Sequence, residues 1–147
     1  MVQIQGSVDD LQFLSKIYTE EPAKIQLLCG DYFLSGCFLN GLVETMDVIE
    51  RAKGQLELML GAARIESGSD SLFASLSGIL YQKSADGIIP KRLSLLTATM
   101  SIGSRIRISI GEYGDSRAYM KAAERDEHLN FAVRLWADSS RTWPRLY

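Results

Sequence analysis

Arg105 and Arg107 stand two residues apart in a stretch where apolar and polar residues alternate without a break, and that spacing is the chain's clearest pointer to chemistry. Side chains two apart on a strand leave the same face, about 7 Å from each other. Paired guanidinium groups at that separation suit a carboxylate or a phosphate. Glu112 and Tyr113 follow in the chain, and a sheet curled around a helix would gather Asp31 and Tyr32 at the same mouth. Arg105, Arg107, Asp31, Tyr32, Glu112 and Tyr113 therefore form one candidate ligand-binding set. In an enzyme built this way, carboxylates and tyrosines would do acid–base work while an arginine holds an anionic substrate. The plainer reading of the same residues is a solvated outer sheet face, or an edge strand guarded by charge.

A second set is aromatic. Trp136, Trp143 and Tyr147, with Arg145 among them, crowd the C-terminal tail, and aromatic residues with arginine are enriched at protein interfaces. Packing of the tail on the chain's own core is the competing explanation. His128 is the single histidine and sits in an acidic run with Asp126 and Glu127, which reads as a solvated helix face. Cys29 and Cys37 have neither a CxxC spacing nor a basic neighbour to activate a thiolate, and they read as small apolar residues on strands. No metal-ligand spacing, phosphate-binding glycine motif or nucleophile elbow is present, so no catalytic residue, metal or cofactor is assigned.

Composition narrows the partners. The chain has 147 residues, 46% of them hydrophobic and 23% charged, in the range of an ordinary globular domain. Its net charge is −2 with lysine and arginine dispersed, which argues against binding a nucleic-acid backbone. The most apolar region, 25–43, is broken by polar residues and glycine, well short of the roughly 18 uninterrupted apolar residues of a membrane helix. The first ten residues lack the basic and apolar segments of a secretory signal. These observations read as a cytoplasmic protein with reduced thiols.

The elements that must position these residues follow from periodicity. The alternation from Leu96 to Ile110 fits one long strand bent at Gly103, the favoured reading, or a hairpin whose three-residue loop pairs Ile102 with Ile106. Val2 to Gln5 reads as a short strand, and Ser7 as the cap of a helix whose apolar face is Val8, Leu11, Leu14, Ile17 and Tyr18. The runs 24–29 and 32–39 read as a hairpin turning at Gly30-Asp31, with Cys29 opposite Tyr32 and Leu27 opposite Leu34. From Leu42 to Ile65 the period becomes helical, with Leu42, Met46, Ile49, Ala52, Leu56, Met59, Leu60 and Ala63 on one stripe. Gly54 and Gly61 weaken that helix, so packing against a sheet must compensate. The stretch 72–82 alternates again, Asp86-Gly87 marks a turn, and Pro90 suits a loop or the first residue of the next strand. Arg117 to Ala137 reads as helix, with an apolar stripe begun by Ala118, Ala122 and Arg125 and continued by Leu129, Ala132, Val133 and Trp136, and its second half is also compatible with a strand.

The expected architecture is a single α+β domain spanning 1–147: an antiparallel sheet of about five strands packed on one long helix (42–65), with helices near both termini. The expected function is that of a small cytoplasmic binding or accessory protein, bacterial in character, that self-associates through a sheet edge or the aromatic tail. A protein partner at that tail is a further expectation. The alternative is the acid–base enzyme described above, with its site between sheet and long helix.

Overall fold

The computed structural model describes residues 1–69, 71–84, 87–92 and 116–137. In chain order they form strand β1 (Val2–Gly6), helix α1 (Val8–Ile17), strands β2 (Lys24–Leu28) and β3 (Asp31–Ser35) and a 3-10 turn (Cys37–Leu39). Helix α2 (Thr45–Ser67), strands β4 (Ala74–Ser84) and β5 (Gly87–Arg92), and helices α3 (Ser116–Arg125) and α4 (Glu127–Ala137) follow. The fold is α+β, and its antiparallel sheet has the order β2-β3-β1-β4-β5. The chain divides into two compact units, with the boundary inside α2 between Leu56 and Glu57. The sheet, α1 and the start of α2 belong to the first unit; the rest of α2, with α3 and α4, belongs to the second. The run 96–110, and with it the expected bent strand, lies outside the described residues.

In the first unit, alternation in the sequence becomes a buried row. Ile25 pairs with Leu34, Leu34 with Val2, and Val2 with Leu80, so four apolar side chains from four strands share one face, and all four are buried. Each contributes about 1.5–3 kcal/mol by leaving water. Helix α1 packs on β1 and β2 and adds Leu11, Phe13, Leu14 and Tyr18 to the core. Ser7 caps it as its type requires, accepting the Asp10 N–H at 3.1 Å. Val8, expected on the apolar face, is exposed, and Phe13 is buried instead.

The β2–β3 hairpin differs in register from the sequence reading. Leu28 pairs with Asp31 and Leu27 with Tyr32, so the turn is Cys29-Gly30, both at positive φ (52° and 91°), the type I′ pattern that matches strand twist. Ile25, Leu27, Tyr32 and Leu34 still share a face, because the slide preserves parity. Cys29 leaves the strand for the exposed turn, and Cys37 is exposed at the start of the 3-10 turn; neither behaves as a buried apolar residue.

Strand β4 carries a bulge that the pattern concealed. Against β1, Val2 pairs with Leu80 but Ile4 with Leu76, so β4 holds two extra residues there, and Gly78 at φ 79° accommodates them. Ser77 Oγ accepts the Ile79 N–H at 3.3 Å and donates to Gln3 Oε1 at 3.0 Å. Because the insertion is even, Ala74 and Leu80 stay on the buried side. Pro90 falls inside β5, opposite Tyr81, rather than in a loop or at a strand start. Its missing N–H is tolerated because β5 is the last strand of the described sheet.

Helix α2 starts three residues later than expected. Gly41 at φ 79° cannot be helical, and the first helical bond runs from Val48 N–H to the Glu44 carbonyl. Leu42 therefore precedes the helix and Met46 is 64% exposed, while Ile49, Ala52, Leu56, Met59, Leu60 and Ala63 are buried as the stripe requires.

In the second unit the partner at Gly61 is a helix and not a sheet. A Cβ on Gly61 would run into the Val133 carbonyl of α4, so glycine there permits backbone contact. Where one helix was expected from Arg117 to Ala137 there are two, because the Asp126 carboxylate takes the His128 and Leu129 N–H groups at 2.9 and 3.1 Å and opens α4. That cap resets the helical phase: Met120 and Ala123 are buried in α3, whereas Ala118, Ala122 and Arg125 of the expected stripe are exposed. Residues 129–137 are helical, with Val133 buried. Arg64 is 1% exposed and donates from Nε and Nη2 to the Leu72 carbonyl (2.9 and 2.6 Å) and from Nη1 to the Trp136 carbonyl (2.7 Å). It thereby satisfies an acceptor in the last turn of α4. Among the described residues no helix is long and apolar enough to cross a membrane.

Candidate functional site

The first unit contains a groove of about 630 Å³, within the size range of small-molecule sites. Its polar side is built from two stretches of chain. Glu21 and Lys24 come from the connection into β2 and its first residue, Ser35 from the end of β3, and Cys37 and Asn40 from the chain that follows. Leu39, Leu42, Val43, Val48 and Leu80 form its apolar side, and Tyr81 closes the β4 end. The Tyr81 ring is held edge-on to Phe33 with centroids 5.0 Å apart. Its N–H donates to the Met1 carbonyl at 2.9 Å, extending the β1–β4 ladder.

Glu21 organises this wall. Its Oε2 accepts the Cys37 N–H at 2.6 Å while Oε1 faces Lys24 Nζ at 3.1 Å. The backbone donor from Cys37, then the Lys24 ammonium, hold its carboxyl below the ordinary value. Gly36 completes the junction, because a Cβ there would collide with the Pro22 carbonyl. Only glycine lets the end of β3 lie this close to the segment carrying Glu21. Beside it, Ser35 Oγ is buried without a hydrogen-bond partner.

The groove's lining sets hydrogen-bonding groups beside an apolar wall. The two charged side chains lining the groove are paired with each other, so it presents hydrogen-bonding groups and an apolar wall without a side-chain charge left uncompensated. Glu21 is exposed and ionised, the opposite of a carboxyl tuned to act as a general acid near neutral pH. No group of three or more His, Cys, Asp or Glu side chains that could hold a metal occurs among the described residues.

Of the residues singled out from the sequence, Asp31 and Tyr32 open β3 at the hairpin tip, exposed and half-buried respectively, and neither lines the groove. Trp136 lies in α4, 42% exposed, its carbonyl tied to Arg64. His128 is exposed, as its acidic setting implies. Arg105, Arg107, Glu112, Tyr113, Trp143, Arg145 and Tyr147 lie outside the described residues. Sequence reasoning passed over Glu21, Lys24 and Ser35, and read Cys37 as a small apolar residue. The signal for them was Gly36, which interrupts the apolar run 32–39 at the point where the strand ends. Comparison with protein-family models, with curated proteins and with solved structures finds no match to this chain.

Proposed function

We propose that this chain is a small binding protein and that the groove beside Glu21, Lys24 and Cys37 is its ligand site. The observation carrying this reading is the groove's make-up: a volume fit for a small molecule, an apolar wall, and polar groups whose two side-chain charges are already matched. A ligand with an apolar body and neutral polar groups suits such a wall. The acid–base alternative finds no support in Glu21, whose carboxyl is shifted away from the range of a general acid.

A thiol within the groove makes the reading testable. In a Cys29→Ser background, a bulky maleimide on Cys37 occupies the groove, and binding of the neutral apolar dye Nile red, followed by fluorescence, should be lost. Full dye binding to completely modified, folded protein overturns the proposal.

Self-association is a second part of the reading, and the edges of the sheet formed by the described residues lend it little. At β2 the Ile25 N–H already donates to the Tyr18 carbonyl at 2.8 Å, and at β5 Pro90 has no N–H to offer; both blunt an edge. Exposed Phe131 (65%) and Trp136 on α4 support it better. Sedimentation velocity of the intact chain against Phe131→Ser should show a dimer weakened in the variant, and a monomer in both removes self-association from the proposal. The free, exposed thiols of Cys29 and Cys37 support a reducing compartment.

A further inference from the structure

We infer that the segment 40–44, between the 3-10 turn and α2, is a strap that closes over a ligand in the groove and brings Val43 down onto it; the inference rests on the groove being a binding site. Asn40, Gly41, Leu42 and Val43 all line the groove, yet Val43 is 86% exposed. Apolar side chains standing in water at the rim of an apolar wall gain by closing onto a ligand. The strap is anchored at both ends. Upstream, Gly36 is wedged against the Pro22 carbonyl, the Cys37 N–H is tied to Glu21, and the Asn40 N–H donates to the Cys37 carbonyl. Downstream, the helical ladder begins with Val48 N–H on the Glu44 carbonyl.

Within the strap, Gly41 is the residue able to swing. It holds φ 79°, and a Cβ there would meet nothing within 4 Å, so its left-handed backbone serves conformation and not packing. Contrast Gly36, where the space itself is forbidden. Hinges of this kind are a few loop residues that take up the φ/ψ change at the end of a fixed element.

The test uses Nile red as the probe and hydrogen exchange as an independent readout. With the dye saturating, amides 41–44 should exchange about tenfold more slowly, and Val43→Ser should weaken dye binding about five- to tenfold, the loss expected for one apolar side chain closing on a ligand. The exposure of Val43 means the variant should keep its fold, which circular dichroism checks. Unchanged exchange and unchanged affinity in Val43→Ser, while modification of Cys37 still abolishes binding, overturn the strap and leave the groove standing. Dye binding indifferent to Cys37 modification overturns both.

Discussion

The groove wall of the first unit and the Arg64 junction of the second use similar residues to opposite ends. At Arg64 a cation is buried and its donors are spent on main-chain carbonyls of Leu72 and Trp136, next to a glycine that lets α2 and α4 touch. At Glu21 and Lys24 the charges are paired with each other and border open volume with an unpartnered Ser35 hydroxyl behind them. Both junctions need glycine for close approach, Gly61 in one and Gly36 in the other. The difference teaches that a polar cluster is scaffold when its hydrogen-bonding capacity is consumed inside, and a candidate site when capacity and space remain. Glu66 qualifies the rule, since both its carboxylate oxygens are buried without a partner in the second unit.

The largest effect should come from breaking the closed junction. Arg64→Met keeps the volume but leaves the Leu72 and Trp136 carbonyls without these donors, and urea denaturation should show a loss of about 3 kcal/mol or more. A stability within 1 kcal/mol of the wild type would mean the arginine is not what holds this junction. The two glycines come next. Gly61→Ala and Gly36→Ala each drive a Cβ into a carbonyl, costing about 2 kcal/mol by thermal or urea unfolding. They should part company in function: Gly36→Ala remodels the groove wall and weakens Nile red binding in the fraction that stays folded.

The unpartnered polar atoms sharpen the contrast further. Glu66→Gln removes a buried charge and should raise stability by about 1 kcal/mol. Ser35→Ala should leave stability unchanged or slightly raised, while dye or ligand affinity moves if the hydroxyl is held in reserve for binding. The smallest effect is electrostatic. The Glu21 carboxyl, followed by carbon NMR, should titrate below 4.5, its ordinary value. A carboxyl lowered on folding adds stability that is present above that ordinary value and fades as pH falls through the lower folded value. Lys24→Ala should restore only part of the shift, because the Cys37 N–H is the larger cause. A complete return to 4.5 would reverse that order.

How much was legible depended on how local each determinant is. The Ser7 cap and the existence of α1 could be read because donor and acceptor are three residues apart. The buried face of the hairpin could be read because parity survives a one-residue slide of the turn, whereas the register could not. Asp31 resembles a turn residue, yet Cys29 took the positive φ. The break at Asp126 was hidden in an unbroken stretch of helix formers, although its carboxylate was the cap. The groove was legible only as the break at Gly36: Glu21, Lys24 and Ser35 are ordinary residues one at a time, and Cys37 reads as a small apolar residue until its partners are known.

By itself, then, the sequence determined the class of the fold and most of the inward faces of the sheet and of α2, since periods of 2 and about 3.6 residues are properties of the backbone and need no partner to express them. Tertiary structure alone decided which strand end meets which loop, that Gly61 faces α4, and that a carboxylate and an amine from one segment and a thiol from another border one groove. The physical reason is that these outcomes depend on contacts between residues far apart in the chain. Local preference is silent about such contacts, and close packing resolves them only when the whole unit forms.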